Sequence, residues 1–280
     1  MKLRLLAFVL LLLTLACQGQ PKRIDYVTTP EDRALAEKVL TELKAHPKEA
    51  AGAQMVRAAK ALLGQKYVGG TLEELPDEKL CIYLTRTDCI LFVETCLGLV
   101  RAARQDGDFE MLAAELLQSR YRKGKCTRYE DRVHYTTEWI RQGVSRGVIE
   151  DVSKSLGGVA LNHPINYMST HPDSYARMKD VAAIKAVEDR LNREASIYVP
   201  KAKLSGALGG IRTGDLIFFH TRTEGLDISH CGIALVEAGK PVRFIHASTV
   251  PMKVVVEPKT LQDYVSGRKS VTGIQVCRVR

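Results

Sequence analysis

The 280-residue chain has no Cys-x-x-Cys pair, no internal repeat, no low-complexity tract and no linker that would divide it. The first absence argues against a cysteine-rich zinc site, and the others leave nothing to divide the chain into more than one domain. Seven cysteines are present; setting aside Cys17 and Cys89 leaves Cys81, Cys96, Cys126, Cys231 and Cys277, an odd number that argues against a disulfide framework. The charge balance is basic, +9 overall, but no run of Lys and Arg is dense enough for nucleic acid. A mildly basic surface suits an anionic polymer, or merely solvates helices. The longest apolar run, Leu5 to Leu15, follows Lys2 and Arg4 and is too short to span a bilayer. It reads as a signal peptide, residues 1–17, whose removal lowers the formal charge to +7.

What the chain does contain is helices first and strands last. Residues 18–28 read as a polar tether. Thr29-Pro30-Glu31-Asp32 then reads as a helix start, with Thr29 as cap, Pro30 in the first helical position and Asp32 reaching back. The spacing predicts helices over 49–63, 89–104, 109–121, 135–144 and 174–193 as well. Strands are predicted at 215–220, 228–236, 242–247, 253–256 and 273–279, so residues 29–280 form a single α+β domain, N-terminal helices packed on a C-terminal antiparallel sheet. Residues 105–214 are a large helical and loop insertion. Its stretch 162–172 is loop-like and forms either a wall of a substrate groove or a surface excursion. His163 and His171 lie there without acidic or cysteine companions at ligand spacing, which favours structural or substrate contacts over metal.

Thr87-Asp88-Cys89 opens the apolar stretch Ile90-Leu91-Phe92-Val93-Glu94, with Val93, Cys96, Leu97 and Val100 at helical spacing. Cys89 therefore falls in the first turn of a helix, where unpaired N–H groups lower a thiol's pKa. It is either a nucleophile or a small buried hydrophobe. Ile228-Ser229-His230-Cys231-Gly232 and Phe244-Ile245-His246-Ala247-Ser248 flank a turn at Gly239 and read as a hairpin. An odd number of loop residues puts His230 and His246 on one face as diagonal neighbours, a base beside its orienting partner. Gly232 and Ala234 leave room for a helix end to approach.

In that order, and with Gly64-Gln65-Lys66-Tyr67-Val68-Gly69-Gly70 upstream, these segments resemble the NlpC-type papain-like cell-wall hydrolases, and within them the N-acetylmuramoyl-L-alanine amidase-like family. The resemblance runs from about Thr29 to Arg280. It departs at Gly70, where a small residue such as Ala is expected, and at Cys231, where Val is more usual; both read as matters of local packing. The resemblance implies a papain-like fold and a cysteine amidase that cleaves between (1,6-anhydro-)N-acetylmuramic acid and L-alanine. The alternatives are a D-glutamyl-diamino acid endopeptidase and a lipoprotein that binds peptidoglycan without cutting it. Cys89 is the expected nucleophile, His230 the base and His246 the orienter. Tyr67 lines the pocket, where it contacts substrate or assists the oxyanion, or packs in the core; Asp88 receives a substrate amine or caps the helix; Ser229 is a further substrate-binding or oxyanion residue. No metal and no cofactor are expected, and the protein reads as a monomer acting on peptidoglycan fragments. Thr14-Leu15-Ala16-Cys17 also resembles the bacterial lipoprotein cleavage box, which implies lipidation of Cys17 rather than plain secretion with cleavage near Ala16. Residues 18–23 carry no acidic residue, so a periplasm-facing anchor is the expected location.

Overall fold

The computed structural model describes residues 24–280, so the expected signal peptide and lipidation site, Cys17, lie outside the described residues. In chain order its elements are β1 (Tyr26–Val27), α1 (Pro30–Lys44), α2 (Ala51–Ala61), β2 (Lys66–Tyr67), β3 (Leu80–Cys81), β4 (Arg86–Thr87), α3 (Cys89–Arg104), α4 (Phe109–Arg120), α5 (Thr136–Ser145), β5 (Ile149–Asp151), β6 (Val159–Leu161), α6 (Tyr167–Thr170), α7 (Val181–Leu191), β7 (Ser196–Pro200), α8 (Leu204–Ala207), β8 (Leu216–Thr221), β9 (Ile228–Leu235), β10 (Arg243–Ser248), β11 (Lys253–Val256), α9 (Leu261–Ser266) and β12 (Val271–Val279). The fold is α+β around one large sheet of order β4-β2-β11-β10-β9-β8-β12-β7-β6, with β5 also on β12.

Alternation along the central strands assigns the two faces. Leu216 and Phe218 of β8 join Ile233 and Leu235 of β9 in the larger core, against α1 to α4 and Trp139 of α5. Ile217, Phe219, Ala234 and Phe244 point the other way, into a second core closed by α8 and α9 through Leu204, Leu261, Tyr264 and Val265. Helix α3 is buried along most of its circumference because it lies between α1, α2, α4 and the sheet. Its one buried charge, Glu94, is matched by Arg120 at 2.7 Å and also accepts from Ser119 at 2.8 Å and Trp139 at 3.3 Å. A third cluster, with Tyr135, Ile165, Met168, Ile184 and Leu191, gives the insertion a core of its own.

Three expectations need correction. The sheet is neither wholly antiparallel nor wholly C-terminal: β2 and β4 pair in parallel at one edge, and β5, β6 and β7 from the insertion extend the other. Two- and three-residue strands carry no readable period, which is why the sequence pattern passed over them. Second, the stretch 18–28 is not all tether, since Tyr26–Val27 pairs with Leu80–Cys81. Third, α7 begins at Val181, where Asp180 caps it by accepting from Ala183 N at 2.9 Å, rather than at residue 174.

Candidate active site

Cys89 is the first residue of α3, and Asp88 is its N-cap, accepting from Leu91 N at 2.9 Å. An N-cap carboxylate takes one of the orphan N–H groups of the first turn and leaves those of Cys89 and Ile90 facing outward. The approach to this helix is fixed from far away in sequence. Asp32 reaches back to the α1 cap as expected, Thr29 Oγ1 accepting from Asp32 N at 3.1 Å and donating to Asp32 Oδ2 at 2.8 Å, while Oδ1 accepts from Leu84 N and Thr85 N, both at 2.7 Å, and from the Thr85 hydroxyl at 2.8 Å. Burial opposes its charge, but the bonds from Thr29, Leu84 and Thr85 hold its carboxyl below the usual range. Strand β4 is thereby anchored, and Val68 N donates to Thr87 O at 2.8 Å, bringing Tyr67 alongside.

The histidines arrive from the hairpin. Strand β9 pairs with β10 in the register Arg243 to Leu235 and Ile245 to Ile233, leaving seven loop residues, 236–242. That odd count places His246 opposite Gly232 and diagonal to His230 on one face. Their rings meet, Nε2 of His230 to Nδ1 of His246, at 2.7 Å. The other nitrogen of His246, Nε2, reaches Glu257 Oε2 at 3.2 Å. Between Phe219 opposite His230 and His220 opposite Ile228, β9 carries one extra residue, Ser229. A bulge of this kind twists a strand and re-aims the next side chain, here His230. Gly232 is required for a different reason than the one expected. A Cβ there would come within 2.8 Å of both the Phe244 ring and Ile245 O and 3.2 Å of His246 Cβ. Its smallness makes space for the histidine strand, while Cys231, on the opposite face, meets the helix.

Cys231 is more than packing. Its single S–H proton lies between Cys89 O, 3.1 Å from the sulfur, and the Cys89 side chain, and is shared between them. The Cys89 thiol is held well below the ordinary range, first by that bond and then, against the cost of burial, by the bond and charge of His230. Burial and the neighbouring Cys89 push Cys231 well above its usual value, so it stays the donor. With Nε2 of His230 turned to His246, Nδ1 is the nitrogen left to face Cys89. Phe219, Phe244 and Tyr264 enclose the imidazoles: Phe219 stacks on His230 at 5.7 Å between centroids, and Tyr264 stands edge-on to His246 at 5.8 Å. Burial in this aromatic wall, together with the charges of His230 and Arg268, drives His246 down to about 3. His246 is therefore neutral, accepts at Nδ1 and donates at Nε2 to the Glu257 carboxylate.

The structure thus brings Cys89, His230 and His246 together, with Asp88 and Tyr67 beside them. Burial, reinforced by Cys89, Asp88 and Cys231, pushes the Tyr67 hydroxyl up to about 12, so it remains a neutral donor. Burial followed by the Cys89 charge raises Asp88 to about 7. Ser229 is exposed at the bulge, its hydroxyl 3.4 Å from Phe219 O. His163 and His171 are spent on main-chain carbonyls, of Thr223 and Leu226 for the first and of Tyr167 for the second. Among the described residues no group of three or more His, Cys, Asp or Glu side chains is gathered to hold a metal ion. Glu257 went unread in the sequence. Extending the alternation of β11 by one residue past Val256 puts it on the face of Val255, which is opposite His246.

The model of one protein family, described as AmiA-like and N-acetylmuramoyl-L-alanine amidase-like, matches residues 57–274. A comparison with curated proteins finds no match. Among solved structures, an N-acetylmuramoyl-L-alanine amidase from Bacteroides uniformis is 34% identical, with a TM-score of 0.78 over 82% of this chain and 99% of that one. A Bacteroides fragilis protein named as a candidate xylanase is 36% identical, with a TM-score of 0.74 over 79% of this chain and 99% of its own. A Legionella pneumophila protein, 20% identical, shares the fold at a TM-score of 0.68 over 89% and 94% of the two chains. The helix-leading cysteine, the hairpin histidines and the domain that carries them are those of a chain that belongs to the AmiA-like, N-acetylmuramoyl-L-alanine amidase-like family.

Proposed function

We propose that this protein is a cysteine amidase of the NlpC-type, papain-like kind. It hydrolyses the amide between the lactyl group of N-acetylmuramic acid, in its 1,6-anhydro form by preference, and L-alanine of the stem peptide. The observation that carries the reading is the continuous array from the α3 N-terminus through His230 and His246 to Glu257. A thiolate on Cys89 attacks the lactyl carbonyl carbon, and the Cys89 N–H and the Tyr67 hydroxyl receive the oxyanion. The imidazolium of His230 gives its Nδ1 proton to the departing alanine amine as the C–N bond breaks, leaving a thioester. Water, deprotonated by His230, then attacks the thioester, and the thiolate leaves. Neutral His246 accepts from His230 Nε2–H, and Glu257 accepts from His246, so the relay keeps one tautomer and stabilises the charge that forms on His230.

The family relationship and the B. uniformis amidase support the substrate class. Under the same proposal the chain works in the periplasm, held by a lipid on Cys17 after loss of the signal peptide, as a monomer that meets the membrane only through that anchor. Incubating the mature protein with anhydro-muropeptides and weighing the products tests the reading. Free anhydro-sugar and intact stem peptide are expected, with none from Cys89→Ala. A shortened muropeptide would instead mark an endopeptidase, and uncut substrate a binding protein.

A further inference from the structure

One cavity lies beyond the catalytic array. It has a volume of about 460 Å³ and is lined by the 161–165 loop, Leu191 and Asn192 at the end of α7, residues 194–196, Thr137, His220 and Asp227. Its floor is polar and buried: His220 is 1% exposed, Thr137 2% and Asp227 4%. Asp227 is committed, accepting from Thr137 N at 2.6 Å and from Ile228 N at 2.8 Å. His220 is only half committed. Its Nε2 lies 3.2 Å from Gln275 Oε1, and the Gln275 amide NH₂ donates to Asp151 at 2.7 Å. That carboxylate fixes which way the amide points, so Gln275 offers its oxygen and His220 Nε2 must carry the proton. Burial, outweighing the nearby Asp227 charge, holds the ring neutral. Nδ1 is then a lone pair, and although the Asp227 main chain lies close to the ring, Nδ1 makes no hydrogen bond of good geometry. A buried acceptor left unmet is destabilising, and a ligand donor relieves that cost.

The lining also says what fits. Leu161, Pro164, Ile165 and Leu191 give an apolar wall, no Lys or Arg faces the cavity, and Glu194 at its mouth repels carboxylates. The stem peptide of a muropeptide is acidic; its sugar is neutral, with ring hydroxyls and an acetamido N–H. Asp227 stands three residues before His230 on the same stretch of chain, a reach of about 10 Å. We propose, resting on the amidase reading, that this cavity is the glycan subsite, in which a hydroxyl or acetamido N–H of the sugar donates to His220 Nδ1 while the ring lies on the apolar wall. The insertion then exists to hold the sugar, its 161–165 loop closing the subsite that β8 and β9 floor.

The test uses the Cys89→Ala protein, which cannot turn over ligand, and calorimetry with two probes. One is the N-methylamide of 1,6-anhydro-N-acetylmuramic acid, a neutral sugar without stem peptide; the other is the free stem tetrapeptide. Two variants are compared. His220→Phe removes the acceptor, and Ala195→Trp fills the exposed mouth without touching the buried network, so it remains informative if the first fails to fold. Each is expected to weaken the sugar probe at least about tenfold and to leave the peptide unchanged. Sugar binding retained in Ala195→Trp, or lost equally with the peptide, overturns the assignment. With Cys89 restored, amide cleavage whose KM ignores both variants overturns the subsite and leaves the amidase standing. Sugar binding that depends on His220 in a protein that cuts no amide overturns the amidase and leaves the subsite.

Discussion

Replacing Cys231 by Val isolates the contribution of one thiol to another. Val is apolar, close in size and at home in a strand, and the Cys89 carbonyl that loses its donor keeps its intrahelical partner four residues on. What disappears is the S–H bond to the Cys89 sulfur, the first of the influences holding that thiol down. A hydrogen bond to a charged group is worth about 1.5–3 kcal/mol, and a thiol is a weak donor, so the low end applies. At 1.36 kcal/mol per unit, the Cys89 pKa should rise by about one unit. The acid limb of kcat/KM against pH, which follows the thiolate fraction, then moves up by about one unit, and on that limb the variant is about tenfold slower. Above it the variant should be up to about threefold faster, because a thiolate of higher pKa is the better nucleophile. Cys231→Ser, which restores an O–H donor, should return the limb to its place. Ultraviolet titration of the thiolate checks the shift without substrate. An acid limb that stays put in Cys231→Val, or moves down, would refute the role given to this thiol.

Glu257→Gln removes the charge at the end of the array without changing its shape, and kcat should fall about tenfold, the worth of one charge-assisted bond, with KM little altered; steady-state kinetics that show no change would detach Glu257 from the relay. Glu94→Ala leaves the Arg120 guanidinium, 5% exposed, without its carboxylate, and should cost about 3–5 kcal/mol in denaturant unfolding, most of it regained by adding Arg120→Met. If the single substitution proves neutral, the pair does not hold α3 to α4. His134 and His246 are both pushed down to about 3, chiefly by burial, from an ordinary 6.5. The unfolded chain therefore binds more protons than the folded one between those values, and stability should be full above about pH 6.5 and fall as pH drops toward 3. Urea midpoints measured across that window should decline, and His246→Gln should flatten the slope; a midpoint that rises on acidification would contradict the burial of neutral rings.

Cys89 was legible because everything that places it is local: an acceptor at the cap, an apolar run behind it and helical spacing through Val100. The two histidines were legible through parity alone, since an odd loop puts them on one face whatever its conformation. Asp32 shows where local reading stops. Its bonds with Thr29 follow from its position at the cap, but its second oxygen serves Leu84 and Thr85, more than fifty residues away, and no pattern near Asp32 records that demand. Cys231 and Gly232 show the same limit across a strand. Gly232 was read as making room for a helix and Cys231 as local packing, but alternate side chains face opposite layers, so Gly232 clears His246 while Cys231 touches Cys89. Which neighbour each one meets is decided by the register of β9 against β10 and by the packing of α3, long-range facts that composition and period do not carry. Glu257 is the sharpest instance, because its strand was foreseen and its parity was available, and only the pairing of Val255 with His246 turns an acidic residue at a strand end into the partner of that imidazole.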